Sequence, residues 1–348
     1  MKEIFSKRLK SARTLAALSQ DELVEKMGNI VSKNAISKYE KGQMMADSNI
    51  LLALSKALNV KPDYFFRPFT VEIEKVEFRK KQRLTVKDVN AIKQNVTDFV
   101  ERYIEVEQFL NIASSFVNPV KGMAISTIQD IDKAALQVRS EWKLGLNALP
   151  NVIDLLEDKE IKVIEVEAPD DFDGFSGWAD GKIPIIVINK NYNVERKRLT
   201  ALHELGHLIL NINEDISDKE KERLCFQFAG AMLIPEPTFR QEIGDIRSHF
   251  SLPELVAVKE TYGISIQAIM ARAKDLGIIN ESQFIAFRKW ISHNRTEEGL
   301  GAYKGNEQAF RFKQLIYRAA AEEIISLSKA ANLSNQKLAE FRKEFVAL

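Results

Sequence analysis

Cysteine is nearly absent from this chain, which contains a single one, Cys225, among its 348 residues. A lone cysteine excludes an intrachain disulfide framework and a zinc site built from several cysteines. Chains without structural disulfides are typical of reducing compartments, so the sequence predicts a cytoplasmic protein. The N-terminal residues alternate charged and apolar side chains at helical spacing, which is not the pattern of a signal peptide.

Long hydrophobic runs are also lacking. No apolar stretch approaches the ~18 residues that a membrane span requires, so no membrane partner is expected. A composition that is 45% hydrophobic and 28% charged is typical of a folded globular protein. The length allows two or three domains, each with its own core. No glycine-rich phosphate loop is present, so nucleotide binding is unsupported.

The net charge is close to zero, at +1, but the charges are unevenly distributed along the chain. Residues 1–83 contain 17 Lys and Arg against 10 Asp and Glu, a balance of +7, which leaves −6 for the remainder. A basic segment beside a mildly acidic body indicates nucleic-acid binding by the N-terminal part. A solvated lysine-rich surface would give the same balance, and charge alone does not separate the two interpretations.

The first 66 residues have helical periodicity, with four or five short helices predicted. Ser19 and Glu22 form a capping-box pattern, and Ser32 is a second N-cap candidate. Gly28 and Gly42 mark helix ends. Two of the helices, "SQDELVEKM" and "SKNAISKYEKG", are joined by a short turn. This arrangement predicts a helix-turn-helix bundle.

The same segment resembles the phage-repressor-like helix-turn-helix family, often called XRE. The residues that carry the resemblance are Arg8-Leu9, Arg13, Ser19-Gln20, Glu22-Leu23, Gly28, Ile36-Ser37, Tyr39-Glu40 and Gly42, followed by "LSKALNVKPDYFF". Two features depart from the pattern: the turn "GNIV" is longer than usual, and "MMAD" stands where a proline-serine pair is common. A longer turn would change how the second helix lies in the groove.

The resemblance implies that the second helix lies in the major groove of a duplex DNA operator. The candidate base contacts are Ser32, Lys33, Asn34, Ser37 and Lys38. Asparagine can bind adenine through two hydrogen bonds, whereas lysine binds guanine or phosphate. Gln20, which begins the preceding helix, is the candidate phosphate contact. For each of these residues, simple solvent exposure is the alternative interpretation.

A long helix is predicted after residue 85, where Thr85 and Asp88 form another capping-box pattern. Its apolar residues approach a 3.5-residue repeat over about 30 residues, and Asn118-Pro119 is the predicted break. Repressors of this type bind two half-sites as symmetric dimers, so the helix could form a homodimer seam. It could equally pack against its own chain.

Histidine is scarce, with four in the chain, yet two lie four residues apart in "RLTALHELGHLILN". On a helix, His203 and His207 project from one side and can bind one metal ion, while Glu204 lies beside them. An ordinary buried helix with two histidines is the alternative. An acidic helix that follows, "DKEKERLCFQFAGAMLIPEP", is at a suitable distance to supply a third ligand. Three protein ligands leave a position for water and substrate.

Residues 130–280 resemble the ImmA/IrrE metallopeptidase family, which is associated with cleavage of repressor-type transcription factors. The matching residues are Trp142, Gly174-Phe175-Ser176, Ile185 to Asn189, His203 to His207, Glu222, Phe228-Ala229, Leu233-Ile234-Pro235, Tyr262 to Ser265 and Leu276 to Ile279. The resemblance implies zinc as cofactor, with manganese as the other candidate, held by His203, His207 and Glu222, with Glu204 as general base. Glu220 is the weaker candidate for third ligand, and a surface carboxylate is the alternative for Glu222.

The remaining site predictions concern the surroundings of this helix. The segments "KVIEVEA", "GFSGWA" and "PIIVINK" are predicted strands, and either of the last two could bind a protein or peptide substrate as an edge strand. Cys225 is predicted to be a buried filler. "LPELVAVKETYGISIQAIMARAKDLGII" has a second helix-turn-helix pattern and is predicted to be a packing module.

The predicted fold is mainly α with a small α/β part. The predicted domains are a helix-turn-helix DNA-binding domain (1–70), a linker with the long helix (71–120), a zincin-like metallopeptidase domain with a small β-sheet (121–280), and a helical C-terminal region (281–348). The leading function is a DNA-binding transcriptional regulator that cleaves itself or a partner regulator to relieve repression. The alternative is an antitoxin-like protein that binds DNA, neutralises a toxin by contact and uses the peptidase fold as a scaffold.

Overall fold

A computed structural model describes residues 1–71, 73–74, 85–113 and 115–346. The chain divides into two compact units, both discontinuous in sequence. The first contains residues 1–73, 80–112 and 315–348, and the second contains residues 74–79 and 113–314. The C-terminal helices thus belong to the unit that holds the N-terminal bundle. Most of the predicted charged linker, residues 75–83, lies outside the described residues.

Helices dominate both units, as predicted. In chain order they are α1 (Lys2–Leu15), α2 (Gln20–Lys26), α3 (Lys33–Glu40), α4 (Ser48–Leu58), α5 (Val86–Phe109), α6 (Ile128–Glu141), α7 (Val152–Asp158), α8 (Val194–Ile209), α9 (Asp218–Leu233), α10 (Glu236–Ile243), α11 (Leu252–Tyr262), α12 (Ile266–Asp275), α13 (Glu281–Ile291), α14 (Arg311–Ala321), α15 (Leu327–Leu333) and α16 (Leu338–Glu344), with a 3₁₀ turn at Pro62–Phe66. Among the described residues, no helix is both long and apolar enough to cross a membrane.

The predicted helix-turn-helix is present as α2 and α3. Ser19 caps α2 through the expected box, in which Glu22 N donates to Ser19 Oγ at 3.1 Å and Ser19 N donates to Glu22 Oε2 at 2.6 Å. The connection spans residues 27–32 and passes through left-handed backbone at Gly28 and Asn29. Six residues separate the two helices, so the turn is long, as the sequence indicated. Leu9, Leu23, Ile36 and Leu54 are buried in the core of this bundle.

The predicted long helix is α5, and its capping box at Thr85 and Asp88 is present. It ends at Phe109, so the predicted break at Asn118-Pro119 is wrong by nine residues. The end is set by Asn111, whose φ of 54° lies in the left-handed region that asparagine tolerates after a helix. The prediction relied on the proline at 119 as the helix breaker, whereas the left-handed residue Asn111 ends the helix earlier.

The apolar face of α5 is buried within its own chain. Ile92, Val96, Val100, Tyr103 and Val106 are all at most 9% exposed. The alternative interpretation of this helix, packing on its own chain, is therefore the one that the structure bears out. A homodimer stays a prediction, but it cannot use these side chains as its seam.

Two buried polar contacts join α5 to the rest of the first unit. Arg8 on α1 donates to Glu101 at 2.7 Å, and both side chains are almost completely buried. Arg102 donates to the carbonyl oxygen of Leu333, at the end of α15, at 2.6 Å. These contacts connect α5 both to the N-terminal bundle and to the C-terminal helices of the same unit.

The second unit contains the predicted strands β3 (Lys162–Val166), β4 (Gly174–Ala179) and β5 (Ile183–Asn189). β5 pairs in parallel with β3 and antiparallel with β4, with Ser176 opposite Ile186. β1 (Ile73–Glu74), of which Glu74 belongs to this unit, is the next strand after β4 in the sheet. The prediction that β4 or β5 binds substrate as an edge strand is wrong, because each has a neighbour on both sides: β1 and β5 flank β4, and β4 and β3 flank β5. A small parallel pair is formed by β2 (Ala124–Ile125) and β6 (Asn211–Ile212).

Helices α8 and α9 pack closely because glycine stands at their contact. A Cβ added at Gly206 of α8 would lie 3.3 Å from Cys225 Cβ of α9, tighter than almost all real contacts. Cys225 is buried, as predicted. Tyr262, Ile264 and Ile266, from the helix pair α11 and α12, are buried in the same core. That pair therefore contributes to this core, and its role as a packing module alone stays a prediction.

Candidate metal centre and DNA interface

Helix α8 presents two imidazoles to one point. His203 Nε2 and His207 Nε2 are 3.0 Å apart, and their ring centroids are 4.7 Å apart. His203 is buried, and His207 is partly exposed on the same side of the helix. The i and i+4 spacing of the sequence produces this geometry, because residues four apart lie about one turn apart on the same helix face.

Helix α9 brings Glu222 to the same point. Its Oε1 is 3.4 Å from His207 Nε2, and its Oε2 is 3.7 Å from His203 Nε2. Ligand atoms of the three residues all lie within 4.8 Å of one another. Glu220 is not in this group, and its carboxylate lies 3.3 Å from Arg223 on the outer side of α9.

These three side chains fit a divalent metal ion. Donors placed tetrahedrally around zinc, at its usual bond length to nitrogen, stand roughly 3.3 Å apart. The observed separations of 3.0, 3.4 and 3.7 Å bracket that value. Two imidazoles and one carboxylate are also the donor types of catalytic zinc sites. The residues predicted as ligands are thus together in space and of the right chemistry.

Glu204 lies next to the donors but is held by a different element. It is 2% exposed, and the Ser176 hydroxyl of β4 donates to its Oε2 at 3.0 Å. This hydrogen bond orients the carboxylate. The sequence predicts no role of its own for Ser176, because local spacing does not indicate a contact between a strand residue and a helix residue 28 positions away.

The far side of the His207 ring contacts Cys225, whose Sγ is 3.7 Å from Nδ1. A proton on Nδ1 leaves Nε2 to face the other donors, which is the usual role of a second partner to a metal-binding histidine. Burial is the largest influence on the pKa of His207 and lowers it. Hydrogen bonds with Cys225 and Glu222, together with electrostatic attraction by Cys225 and Glu204, outweigh burial and raise the pKa to about 10. A metal ion held by Nε2 would take the place of a proton on that nitrogen.

A cleft of about 630 Å³ borders the donors on the α9 side. Its lining includes Glu222, Phe226 and Gln227 from α9, Ala268 and Ala271 from α12, and Phe284 from α13. Phe226 is 45% exposed, and its ring centroid lies 4.1 Å from that of His203. A large, mainly apolar cleft beside candidate metal ligands is the usual form of a substrate site.

Gln20, Ser32, Lys33 and Asn34 lie at the N-terminal ends of α2 and α3 as expected, whereas Ser37 and Lys38 lie in the second half of α3. Ser32 is the N-cap of α3, and its hydroxyl accepts from Ala35 N at 3.2 Å. Lys33, Asn34 and Lys38 are exposed, whereas Ser37 is half-buried. Their exposure is compatible with base contacts and equally with solvent.

Lys33 and Gln20 each contact an acidic side chain of the bundle. Lys33 Nζ lies 2.6 Å from Asp21 in a solvent-exposed pair. Gln20 Nε2 donates to Glu40 Oε2 at 2.8 Å, and Arg13 also binds that carboxylate. The Gln20 amide is thus positioned by the bundle before any DNA is present.

Two parts of the chain match known protein families. Residues 9–65 match the family described as helix-turn-helix, and residues 156–274 match the family described as IrrE N-terminal-like domain, a peptidase family. The chain joins an XRE-type helix-turn-helix domain to an IrrE-type peptidase domain. The two resemblances drawn from the sequence are therefore confirmed.

One relative is the radiation response metalloprotease IrrE of Deinococcus radiodurans. It is 36% identical over 81 residues, which is 19% of this chain and 25% of the relative. The match therefore spans about a quarter of the relative's length.

Proposed function

We propose that this chain is a DNA-binding transcriptional regulator with its own metal-dependent endopeptidase, which cleaves the chain itself or a partner regulator and so relieves repression. The observation that carries the proposal is the convergence of His203, His207 and Glu222, with Glu204 buried beside them. Zinc is the proposed metal, with manganese as the second candidate. The IrrE-type domain and the helix-turn-helix domain support the same combination of activities.

In this proposal the chain's own residues divide the chemistry. His203, His207 and Glu222 would hold the metal, which when bound supplies Lewis acidity that activates water and polarises a carbonyl. Glu204 accepts a proton from the attacking water at its carboxylate and passes it to the amine that leaves. Ser176 positions that carboxylate through its hydrogen bond to Oε2.

The cleft beside Glu222 is the proposed path for the substrate peptide. Phe226, Ala268, Ala271 and Phe284 offer an apolar surface to side chains near the scissile bond. Gln227 lines the same cleft, and its buried amide makes no hydrogen bond to any described residue. An amide of this kind is a partner for a substrate peptide group, since an unmade buried hydrogen bond is costly.

The scaffold role of the antitoxin-like alternative has no specific support. A scaffold would require neither three metal donors nor a carboxylate positioned beside them. We therefore propose that the peptidase domain is catalytically active.

Metal content and proteolysis together test the proposed peptidase. Glu204→Gln should keep stoichiometric metal and lose cleavage of the chain or its partner regulator by at least about 100-fold, because the amide cannot accept the proton. Glu222→Ala should lose both metal and cleavage. Elemental analysis and gel-based cleavage assays measure the two quantities.

The matched control is Glu220→Ala on the same helix, which should retain metal and activity because its carboxylate faces Arg223. Stoichiometric metal retained in Glu222→Ala would remove this residue from the ligand set. A wild-type chain that takes up no divalent metal would refute the peptidase proposal as a whole.

A further inference from the structure

The first unit contains a second cavity, of about 300 Å³, unrelated to the metal centre. Three segments distant in sequence line it: the N-terminal bundle, the middle of α5, and the C-terminal helices. Its volume is at the lower end of the range for small-molecule sites. Most of its lining is polar, unlike the cleft beside Glu222.

The charges around this cavity do not balance. Four cationic side chains, Lys26, Lys61, Arg67 and Arg102, face two acidic ones, Asp63 and Asp98, which leaves two positive charges in excess.

Both carboxylates are already engaged by neighbours. Asp98 is shared between two cations, with Oδ1 3.4 Å from Arg67 Nη1 and Oδ2 3.0 Å from Arg102 Nε. Asp63 accepts a hydrogen bond from the Asn332 amide. Neither carboxylate forms an ion pair with Lys26 or Lys61 in the described part of the chain, although Asp63 attracts Lys61 electrostatically.

The excess charge is divided between the arginine pair, which shares the single carboxylate of Asp98, and the two lysines. Within the described part of the chain, neither Lys26 nor Lys61 has a carboxylate oxygen within 4.0 Å, and Lys61 Nζ donates to the carbonyl oxygen of Ala331 at 3.3 Å. Partial burial lowers the pKa of Lys61, because the cation loses hydration. A cation in this position is stabilised by an anion that replaces the lost water.

The remaining polar lining consists of Tyr64 and several amides. Asn59, Asn95 and Asn335 lie at the cavity from three different segments and add N–H donors to those of the lysines and arginines. A lining with many donors and two occupied carboxylates suits a ligand rich in acceptor oxygens. A phosphate group carries about −1.5 to −2 charges at neutral pH, close to the local excess.

We propose that this cavity binds a small phosphate-bearing ligand, either inorganic phosphate or a phosphate monoester, through Lys26, Lys61 and the asparagine amides. Bound there, the ligand would connect the helix-turn-helix bundle with α5 and α15. Lys26 stands in the last turn of α2, whereas the predicted DNA contacts stand at the start of α2 and on α3. The site is therefore separate from the predicted DNA surface.

Calorimetric titration of the full chain tests the proposal, with inorganic phosphate and ribose 5-phosphate as probes at constant ionic strength in chloride. Lys61→Gln should weaken binding by about tenfold or more, since it removes a charged hydrogen-bond donor. Lys26→Gln should weaken it several-fold. The matched control is Lys56→Gln, an exposed lysine on α4 outside the cavity, which should leave affinity unchanged.

The two probes separate the possible sources of the phosphate group. Tighter binding of ribose 5-phosphate assigns the site to a monoester, and equal or weaker binding assigns it to phosphate itself. Circular dichroism and thermal unfolding establish that each variant is folded, and the exposed position of Lys26 makes that substitution the safer of the two.

Three results would overturn the assignment. The first is absence of binding by either probe. The second is binding that survives both Lys26→Gln and Lys61→Gln, or falls equally in Lys56→Gln, which would indicate non-specific attraction. The third is binding that depends on Glu222 rather than on Lys61, which would place the phosphate at the metal centre.

Discussion

Glu220 and Glu222 show how a shift of two positions along a helix changes which residues a side chain contacts. Both are acidic and stand in the first turns of α9, yet Glu222 faces the two histidines and Glu220 faces Arg223. The helical period of 3.6 residues places side chains two apart on nearly opposite faces. Composition and charge do not distinguish the two residues. The direction of each side chain does, because only Glu222 faces the candidate metal ligands.

Glu157 on α7 is a second residue whose surroundings override its usual behaviour. Its carboxyl is buried, Oε2 accepts from Phe310 N and Arg311 N, and Oε1 makes no hydrogen bond to any described residue. Burial is the main cause that raises the pKa of Glu157 to about 7 from an ordinary value of 4.5. The folded state therefore holds a proton on this group in a range where the unfolded state has released it.

This raised pKa makes stability depend on pH. The favourable contribution of Glu157 is complete below its unfolded pKa and is lost as pH rises through about 7. The Glu157→Gln side chain stays neutral at every pH. From pH 5 to pH 8, the free energy of unfolding of this variant should therefore rise relative to that of the wild type by up to about 3 kcal/mol. Urea denaturation at both pH values measures the gain. Parallel pH profiles for the two proteins would show that Glu157 is not protonated in the folded state.

At the scale of elements, the metal centre depends on the distance between α8 and α9. The histidines are on one helix and Glu222 on the other, so any change in separation moves the ligands apart. Gly206 sets this separation, because its missing side chain lets the backbone of α8 approach Cys225.

Gly206→Val should therefore weaken metal binding as well as stability. The added methyl groups overlap Cys225 and should lower the free energy of unfolding by about 1–3 kcal/mol. Gly230→Ala is the control, because a Cβ there meets Arg272 Cδ at an ordinary 3.6 Å, and alanine favours a helix over glycine by up to about 1 kcal/mol. Urea denaturation and metal titration measure both variants. Wild-type metal affinity in a folded Gly206→Val protein would contradict this account of the helix contact.

The apolar face of α5 is covered by other elements of its own chain. Its near-heptad apolar pattern was compatible with a dimer seam and with packing inside the chain. Ile92, Val96 and Val106 are buried by residues of the same unit, among them those of α1 and α15. Amphipathic periodicity identifies a face that must be covered, but it does not identify what covers it.

At the scale of the whole molecule, charge is segregated along the chain, with +7 on residues 1–83 and −6 on the rest. A basic segment next to an acidic remainder favours contact with DNA through that segment alone. Lys33 is held by an exposed ion pair with Asp21, which is a weak interaction and can be exchanged for a phosphate at little cost.

DNA binding should accordingly be strongly salt-dependent. The affinity for duplex DNA from the adjoining promoter should fall by about 0.9 log units per phosphate contact for each tenfold rise in salt. The double substitution of Lys33 and Lys38 by alanine should abolish binding at physiological salt and reduce that slope by about two. Lys56→Ala serves as the control and should bind like the wild type. Fluorescence anisotropy measures the affinities, and unchanged binding in the double variant would remove α3 from the interface.

The sequence by itself determined the features that depend on local spacing. Caps at Ser19 and Thr85, the helices they begin, and the common face of His203 and His207 all follow from residues within one or two helical turns. Local hydrogen bonds and the 3.6-residue period need no information from elsewhere in the chain. The resemblance to two families then indicated the functions, DNA binding and metal-dependent proteolysis, that these local features would support.

Tertiary structure decided everything that depends on contacts between distant residues. Ser176 reaches Glu204 because β4 packs beside α8, and Cys225 reaches His207 because glycine lets α9 come close. The burial of α5 and the donor-rich cavity around Lys61 need segments more than 200 residues apart in the chain. Such contacts are set by the packing of whole elements, a global balance of burial and chain entropy that no local pattern encodes.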